Sequence, residues 1–583
     1  MKQLFLRSTF PLSVSLLLLL FTSLLHAEQS NPLKDYVYQD DPAYTYRVIG
    51  QLPGEGYDAY FLNMDSQNWR SEEEVTPTLW NHWVTLIVPN QLTTTTANLT
   101  IVGGSFSTTP PDAEDLALFV PLATATGSIQ VVISQVPGQR LQFADLDAPV
   151  REDALVAYSW RKSMETGDPT WAAYLPMTKA AVRAMDTAQD FVAASLGLVV
   201  NDFIVTGFSK RGATAWLTAA VDPRVVAVVP GVFNVLHMAD QFEHHFNSYG
   251  FYSDAVSDYE ENGILQQIRS PEGELLEQLI DPISYKQALT MPHLLLNATG
   301  DEFFLPDASE FYVDDIPGET LQRIVPNTDH SMENGFEETV LGLIAWYQVQ
   351  LYGVARPEIE WELEDNGELV VSSDQTPLVA KLWQANNPNA RDFRLEILGD
   401  QAWSDTVISP DADGKYRVTV PPPAGGWSAY LVELTYPGMT GIPQTYTTSV
   451  FVTPDELPFE VEDPLGDPKK PAYWQRQVNR ALAGRPLDYD LDALQGMLPI
   501  RVLGDYIRDP ETLGEYLNQW GPKRSCTAAR LNVEAEQQGW YTTLYVIGDR
   551  NIKFWQPYQL AERLYAEDRK LLAAGICQAL TRQ

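Results

Sequence analysis

Positive charge is what this chain has least of: 39 Lys and Arg stand against 77 Asp and Glu, a formal net charge of −38 over 583 residues. Binding to nucleic acid or to an anionic membrane surface depends on clustered basic side chains, so this balance argues against both as partners. Cysteine is nearly absent. Only Cys526 and Cys577 occur, and neither has histidines at zinc-ligand spacing, so no metal site is expected from them. No nucleotide or metal motif appears elsewhere, and no cofactor is expected. Long apolar runs are missing beyond residue 25, so no later stretch reads as transmembrane.

The one such run, Leu12 to Leu25, follows Lys2 and Arg7 and leads into Leu25-His26-Ala27. A positive start, a short apolar stretch and a small residue at the end describe a signal peptide over residues 1–27, cleaved before Glu28. The mature chain is expected to be exported, periplasmic or secreted, with no stable membrane insertion. Export licenses a disulfide between Cys526 and Cys577, which would stabilise that segment by about 4 kcal/mol on a chain-entropy argument. Two free, buried thiols are the alternative.

From about Asn81 to Tyr352, short apolar runs alternate with helical stretches: Trp83 to Val88, Leu99 to Val102, Ile129 to Val136, a helix near Lys179 to Leu196, Phe203 to Val205, and Val225 to Val229. That alternation predicts an α/β fold with a mostly parallel, doubly wound sheet. The interval 234–290 is too long for a simple connection and carries aromatic, helical sequence, as a cap insertion would. From Arg356 the pattern becomes short alternating strands (IEWELE, ELVVSS, LVAKLW, FRLEIL, YRVTVP, AYLVELTY, TTSVFV). Seven strands over about a hundred residues suggest an immunoglobulin-like β-sandwich over residues 356–455. A linker at 456–472 leads to a mainly helical α+β segment, 473–583, with a short hairpin at WYTTLYVIG and NIKFW; its role has no reading.

Within the α/β region, residues 28–355, the most informative stretch is Asp202 to Trp216, DFIVTGFSKRGATAW. Phe203, Ile204 and Val205 suit a strand buried on both faces, Gly207 lacks a Cβ, and Ala213, Ala215, Trp216 and Leu217 suit the buried side of a helix. Ser209 therefore stands on a strand-to-helix turn, where an α/β-hydrolase holds its nucleophile. The usual glycine two residues on is replaced by Arg211, with Gly212 one later. A serine hydroxyl is a poor nucleophile until an imidazole takes its proton, so an acid and a histidine must follow in that order. Asp301 comes after the apolar strand HLLLN and the turn at Gly300, and His330 follows Arg323 to Val325 on a later loop. Glu302 and Asp329 are neighbouring acids read as surface charge. Oxyanion donors are sought in the amide of Lys210 and in Gly104 or Ser105, after the run Leu99 to Val102. Arg211, His244 and His245 are candidates to face substrate.

Several of these stretches, TGFSKRGATAW, DPISY at Asp281, NATGDEFFLPDASEFYVDD from Asn297 and VPNTDHSM from Val325, together resemble the PhoPQ-activated pathogenicity-related proteins. The resemblance also covers RDFRLEI and GGWSAYLVELTY and spans roughly Leu33 to Pro454. It implies an α/β-hydrolase branch of bacterial envelope or secreted proteins linked to virulence regulation, with no settled substrate. The Ser-Lys-Arg-Gly elbow is also similar to that of glucuronoyl esterases, where the basic residue after the nucleophile assists the oxyanion. The expectation is an exported serine hydrolase acting on a small ester, amide or peptide through Ser209, Asp301 and His330. The alternative is a hydrolase fold without turnover that binds envelope polymer or cationic host-defence peptides. The oligomeric state is left open.

Overall fold

A computed structural model describes residues 31–459 and, further on, the short strands Ile500–Val502, Asp505–Ile507, Leu544–Ile547 and Arg550–Lys553. Residues 1–27, expected to be a signal peptide, and Cys526 and Cys577, expected to form a disulfide, lie outside the described residues. Within 473–583, Leu544–Ile547 pairs antiparallel with Arg550–Lys553, at the place the sequence puts a hairpin.

In chain order the strands of the α/β region are β1 (Thr45–Gly54), β2 (Tyr57–Asn68), β3 (Val75–Thr76), β4 (Leu79–Pro89), β5 (Thr96–Ile101), β6 (Gln130–Ile133) and β7 (Gln142–Phe143). Then come β8 (Asp202–Phe208), β9 (Val225–Gly231), β10 (His293–Ala298) and β11 (Thr320–Val325). Strands β6, β5, β8, β9, β10 and β11 lie side by side in that order and run parallel. Their residues are buried almost without interruption, as strands covered by helices on both faces must be. Antiparallel β4, β2 and β1 extend the β6 side.

The sequence pattern did not announce β1 and β2. β1 is half-exposed along its whole length, and β2 buries polar residues such as Asn63, Ser66 and Gln67, so neither alternates cleanly. The expected helix near Lys179 begins earlier, at Tyr174, and runs to Phe191. Pro176 falls in its first turn, where a missing N–H costs no helical bond.

Chain order and spatial order part company at β5. From β5 the chain goes to β6 on one side, then returns to the other side with β8 and continues outward through β9, β10 and β11. That reversal is a topological switch point, and the loops after β5 and β8 diverge there and open a crevice. Between β9 and β10 the insertion folds into helices Met238–Tyr249, Ser257–Glu261, Ile264–Gln267 and Pro271–Ile280.

Beyond Arg356 the strands do not close on themselves as a separate sandwich. They are β12 (Ile359–Leu363), β13 (Glu368–Ser373), β14 (Val379–Asn387), β15 (Ser404–Ile408), β16 (Tyr416–Thr419), β17 (Trp427–Tyr436), β18 (Gln444–Thr447) and β19 (Phe451–Thr453). β18 pairs with β11 and brings β17, β14, β15 and β19 into one fourteen-stranded sheet with the α/β region, while β12, β13 and β16 form their own three-stranded sheet. Leu369, Val371 and Val418 of the small sheet share a core with Val432, Leu434, Leu321 and Trp346. The strands expected to form a separate immunoglobulin-like sandwich over residues 356–455 instead join the central sheet in part. FRLEIL is not a strand. Leu395–Leu398 is a single helical turn whose Leu395 amide donates to the Gly300 carbonyl at 2.9 Å, tying it to the loop that carries Asp301.

Candidate active site

Ser209 follows β8 and caps the helix Lys210–Val221 with φ 58° and ψ −129°, a conformation that costs a side-chain-bearing residue about 1–3 kcal/mol. Three contacts hold it there. Its amide donates to the Gly231 carbonyl at 2.8 Å, and its carbonyl accepts from the amides of Gly212 at 2.7 Å and Ala213 at 3.2 Å. Glycines on both sides permit the tight turn: a Cβ on Gly207 would stand 2.1 Å from the Arg211 carbonyl oxygen, and one on Gly212 2.8 Å from the Phe233 Cβ. The displaced glycine of the motif therefore lets the helix approach the end of β9.

His330 Nδ1 lies 2.8 Å from Asp301 Oδ2. Asp301 Oδ1 accepts from the amides of Phe303 at 2.7 Å and Phe304 at 3.2 Å, which orients the carboxylate. The His330 amide donates to Glu302 Oε2 at 3.1 Å, so Glu302 is engaged at the site rather than left as free surface charge. Its carboxyl is pushed up by burial and by the neighbouring Asp301 charge. Burial alone would lower the His330 pKa, but the Asp301 carboxylate outweighs it and, with Glu302, raises the imidazole above its ordinary value. His330 Nε2 is buried and has no hydrogen-bond partner among the described residues. The Phe303 ring packs 4.3 Å from the imidazole and Phe304 5.7 Å from it.

Ser209, Phe303 and Phe304 line one small cavity of about 30 Å³. Met238, Phe242, Val256 and Tyr259 of the insertion line it as well, and Lys210 and Asp153 supply its charged wall. Gly104 and Ser105 are exposed on the loop after β5 and line a separate cleft of about 510 Å³ with Trp83 and Gln135. Lys210 is the first residue of the elbow helix, where a backbone N–H has no partner within the helix. Its ammonium is buried and paired with Glu152 Oε2 at 3.1 Å and Asp153 Oδ2 at 2.9 Å.

Three residues expected to face substrate are turned elsewhere. Arg211 binds Glu152 Oε1 at 2.7 Å and the Val136 carbonyl at 2.5 Å, bracing the loops instead of lining the cavity. His244 Nε2 meets Asp307 at 3.2 Å, and Asp307 also binds Arg391 at 2.5 Å. His245 accepts from the Ser253 amide at 3.1 Å, and burial, aided by the Arg394 charge, pushes it down to about 3. Both sit on the buried face of the helix Met238–Tyr249, which anchors the insertion to the loop after β10. Glu152 and Asp153 were not singled out in the sequence. Their one visible signal was a pair of acids opening the helix Glu152–Thr166, a placement that ordinary helix-dipole arguments already explain. Among the described residues no group of three or more His, Cys, Asp or Glu is placed to hold a metal ion, and no helix is long and apolar enough to cross a membrane.

A strained serine after a central parallel strand, at the switch point of a mixed sheet, defines an α/β-hydrolase-like architecture. The chain belongs to the PhoPQ-activated pathogenicity-related protein family, which it matches over residues 33–394. It is 34% identical over 470 residues to autocrine proliferation repressor protein A of Dictyostelium discoideum, covering 76% of this chain and 94% of that protein. Among solved structures it is similar to an acetyl xylan esterase from Paenibacillus sp. R4, with 15% identity, a TM-score of 0.38 and coverage of 54% of this chain and 92% of that one. The glucuronoyl esterase from Solibacter usitatus is similar with 12% identity, a TM-score of 0.32 and coverage of 55% of this chain and 92% of that one.

Proposed function

We propose that this protein is a serine hydrolase that cleaves an ester or amide by acyl transfer, and that it acts after export. The observation that carries the reading is His330, bonded through Nδ1 to Asp301 with Nε2 buried and unpaired, its ring against the Phe303 that shares a cavity with Ser209. In that reading His330 Nε2 takes the Ser209 proton as Oγ attacks the substrate carbonyl. Asp301 holds the imidazole tautomer and stabilises the imidazolium. The Lys210 amide and a donor from Gly104 or Ser105 receive the oxyanion, the leaving group departs with the proton from His330, and water then attacks the acyl-enzyme with His330 again as base.

The test is labelling of the purified protein by a fluorophosphonate probe. Wild type is expected to label and Ser209→Ala not to; equal labelling of both, or none of wild type, defeats the reading. A panel of short-chain esters, uronate methyl esters and peptides then separates esterase from peptidase action. Export rests on residues 1–27, and amino-terminal sequencing of the mature protein is expected to begin at Glu28.

A second reading, a hydrolase fold without turnover that binds cationic peptides or envelope polymer, is favoured by the net charge of −38. The Dictyostelium relative's name likewise states repression of proliferation rather than a reaction. Cationic-peptide binding that persists in Ser209→Ala, from a wild type that does not label, is the outcome that would select it.

A further inference from the structure

Glu152 joins parts of the site that are far apart in sequence. Its carboxylate receives Lys210 Nζ at 3.1 Å and Arg211 Nη2 at 2.7 Å, both from the first turn of the elbow helix. The same carboxylate accepts from Gln139 Nε2 at 2.6 Å, and the Glu152 amide donates back to Gln139 Oε1 at 2.8 Å. Gln139 Nε2 in turn reaches the Gly104 carbonyl at 3.1 Å. One carboxylate thus ties the serine elbow to the loop after β5.

The tie has a directional consequence. A trans peptide unit is planar, with its carbonyl and its N–H on opposite sides, so holding the Gly104 oxygen toward Gln139 turns the Ser105 N–H away from Gln139. The Gly103 carbonyl accepts from the Gln135 amide at 2.8 Å and fixes the Gly104 N–H in the same manner. Arg211 presses on this loop from below: a Cβ on Gly103 would lie 2.4 Å from Arg211 Nη2, so the guanidinium occupies the space a side chain would need. Glu152 itself has φ 51°, a left-handed conformation that a residue with a Cβ adopts only when its surroundings demand it.

We propose that Glu152 is a positioning residue: by gripping Lys210, Arg211 and Gln139 together it sets the amides of Gly104 and Ser105 at a fixed place relative to the Ser209 elbow. The role rests on the nucleophile reading of Ser209 and on the oxyanion reading of Gly104 and Ser105. Glu152 touches no reacting atom and acts through the loop. Displacing a donor by about 1 Å costs on the order of 10²-fold in rate, comparable to deleting one oxyanion donor.

The experiment compares wild type, Glu152→Gln, Glu152→Asp and Gln139→Leu as full-length proteins. It measures steady-state hydrolysis of a p-nitrophenyl ester, the rate of fluorophosphonate labelling and the thermal midpoint. Glu152→Gln is expected to lower kcat on the order of 10²-fold with KM changed less than about 3-fold, since oxyanion contacts strengthen only in the transition state. Glu152→Asp, which keeps the charge, recovers part of that loss. Gln139→Leu cuts the link to Gly104 while leaving both elbow ion pairs, and is expected to lower kcat in the same way even where Glu152→Gln unfolds. A wild type that labels, beside a folded Gln139→Leu with unchanged kcat, overturns the positioning role alone. A wild type that does not label overturns the nucleophile reading and this role with it.

Discussion

Among the described residues two buried imidazole–carboxylate pairs share their composition and differ in what else their carboxylates hold. His330 sits 2.8 Å from Asp301, and His244 sits 3.2 Å from Asp307; all four side chains are largely buried. Asp307 also receives Arg391, so although burial opposes ionisation, the Arg391 and His244 charges hold its carboxyl well below the usual range. Its negative charge is thereby taken up in packing the insertion. Asp301 has only backbone amides besides its histidine, so its charge is free to stabilise an imidazolium. Each histidine gives one ring nitrogen to its carboxylate, His330 through Nδ1 and His244 through Nε2, and the second nitrogen of His330 is buried without a hydrogen-bond partner among the described residues. In the proposed reading, third partners separate a structural clamp from a base.

The comparison can be broken by mutation. His330→Ala is expected to lower kcat/KM on the order of 10⁴-fold with little change in thermal midpoint, while His244→Ala retains most activity. Equal losses from both, measured on the same ester, would erase the distinction. Arg391→Ala leaves Asp307 buried without its cation and should cost about 3–5 kcal/mol by denaturant titration, with fluorophosphonate labelling retained in the folded fraction. Gly207→Ala places a methyl group against the Arg211 backbone, which cannot swing aside as a side chain would. That variant should lose about 1–3 kcal/mol and also slow labelling, because the clash falls on the elbow.

The smallest effects are pH shifts, and they sharpen the comparison. His330 is raised above its ordinary value, so kcat/KM should climb with pH through an apparent pKa above about 6.5. Asp301→Asn removes the charge that opposes burial, so in whatever activity remains that limb should move to lower pH. Glu152 is an ion-pair effect of the opposite kind. Burial would raise it, but Arg211, Lys210 and Gln139 bring it down to about 2. Its stabilising contribution is complete above its ordinary value of 4.5 and disappears as pH falls toward 2, so the thermal midpoints of wild type and Glu152→Gln should converge over that interval.

Much of the α/β core was legible because parallel strands buried on both faces leave continuous apolar runs, as in Phe203 to Val205 or Leu294 to Leu296. The elbow was legible too. A serine flanked by glycines between a strand and an apolar helix marks a turn too sharp for ordinary packing, and Asp301 and His330 each follow a strand of the same apolar kind. Histidines on the insertion were misleading, because a buried histidine and a substrate-facing one look alike until their partners are known. FRLEIL alternated like a strand, yet it folds as a turn because its backbone is taken up by Gly300 and Asp392.

The later strands show the same limit in the fold. Their alternation was readable, but the pairing of Gln322 with Thr447 that fuses them to the central sheet depends on tertiary contacts such as Arg323 with Glu433 at 2.6 Å. The residue before β15 also supports the site: Asn327, on the His330 loop with φ 57°, exchanges hydrogen bonds with the Trp403 backbone at 2.9 and 2.8 Å.

Local chemistry in the sequence therefore determined the buried parallel strands, the serine turn, and the order of acid and histidine after it, since hydrophobic period and turn residues act over a few positions. Tertiary structure alone decided that Glu152 joins the elbow to the Gly104 loop, that Asp307 is paired with an arginine while Asp301 is held by backbone amides, and that the insertion shares a cavity with Ser209. Those outcomes depend on which charges and amides meet across gaps of tens to hundreds of residues, and a linear pattern carries no record of them.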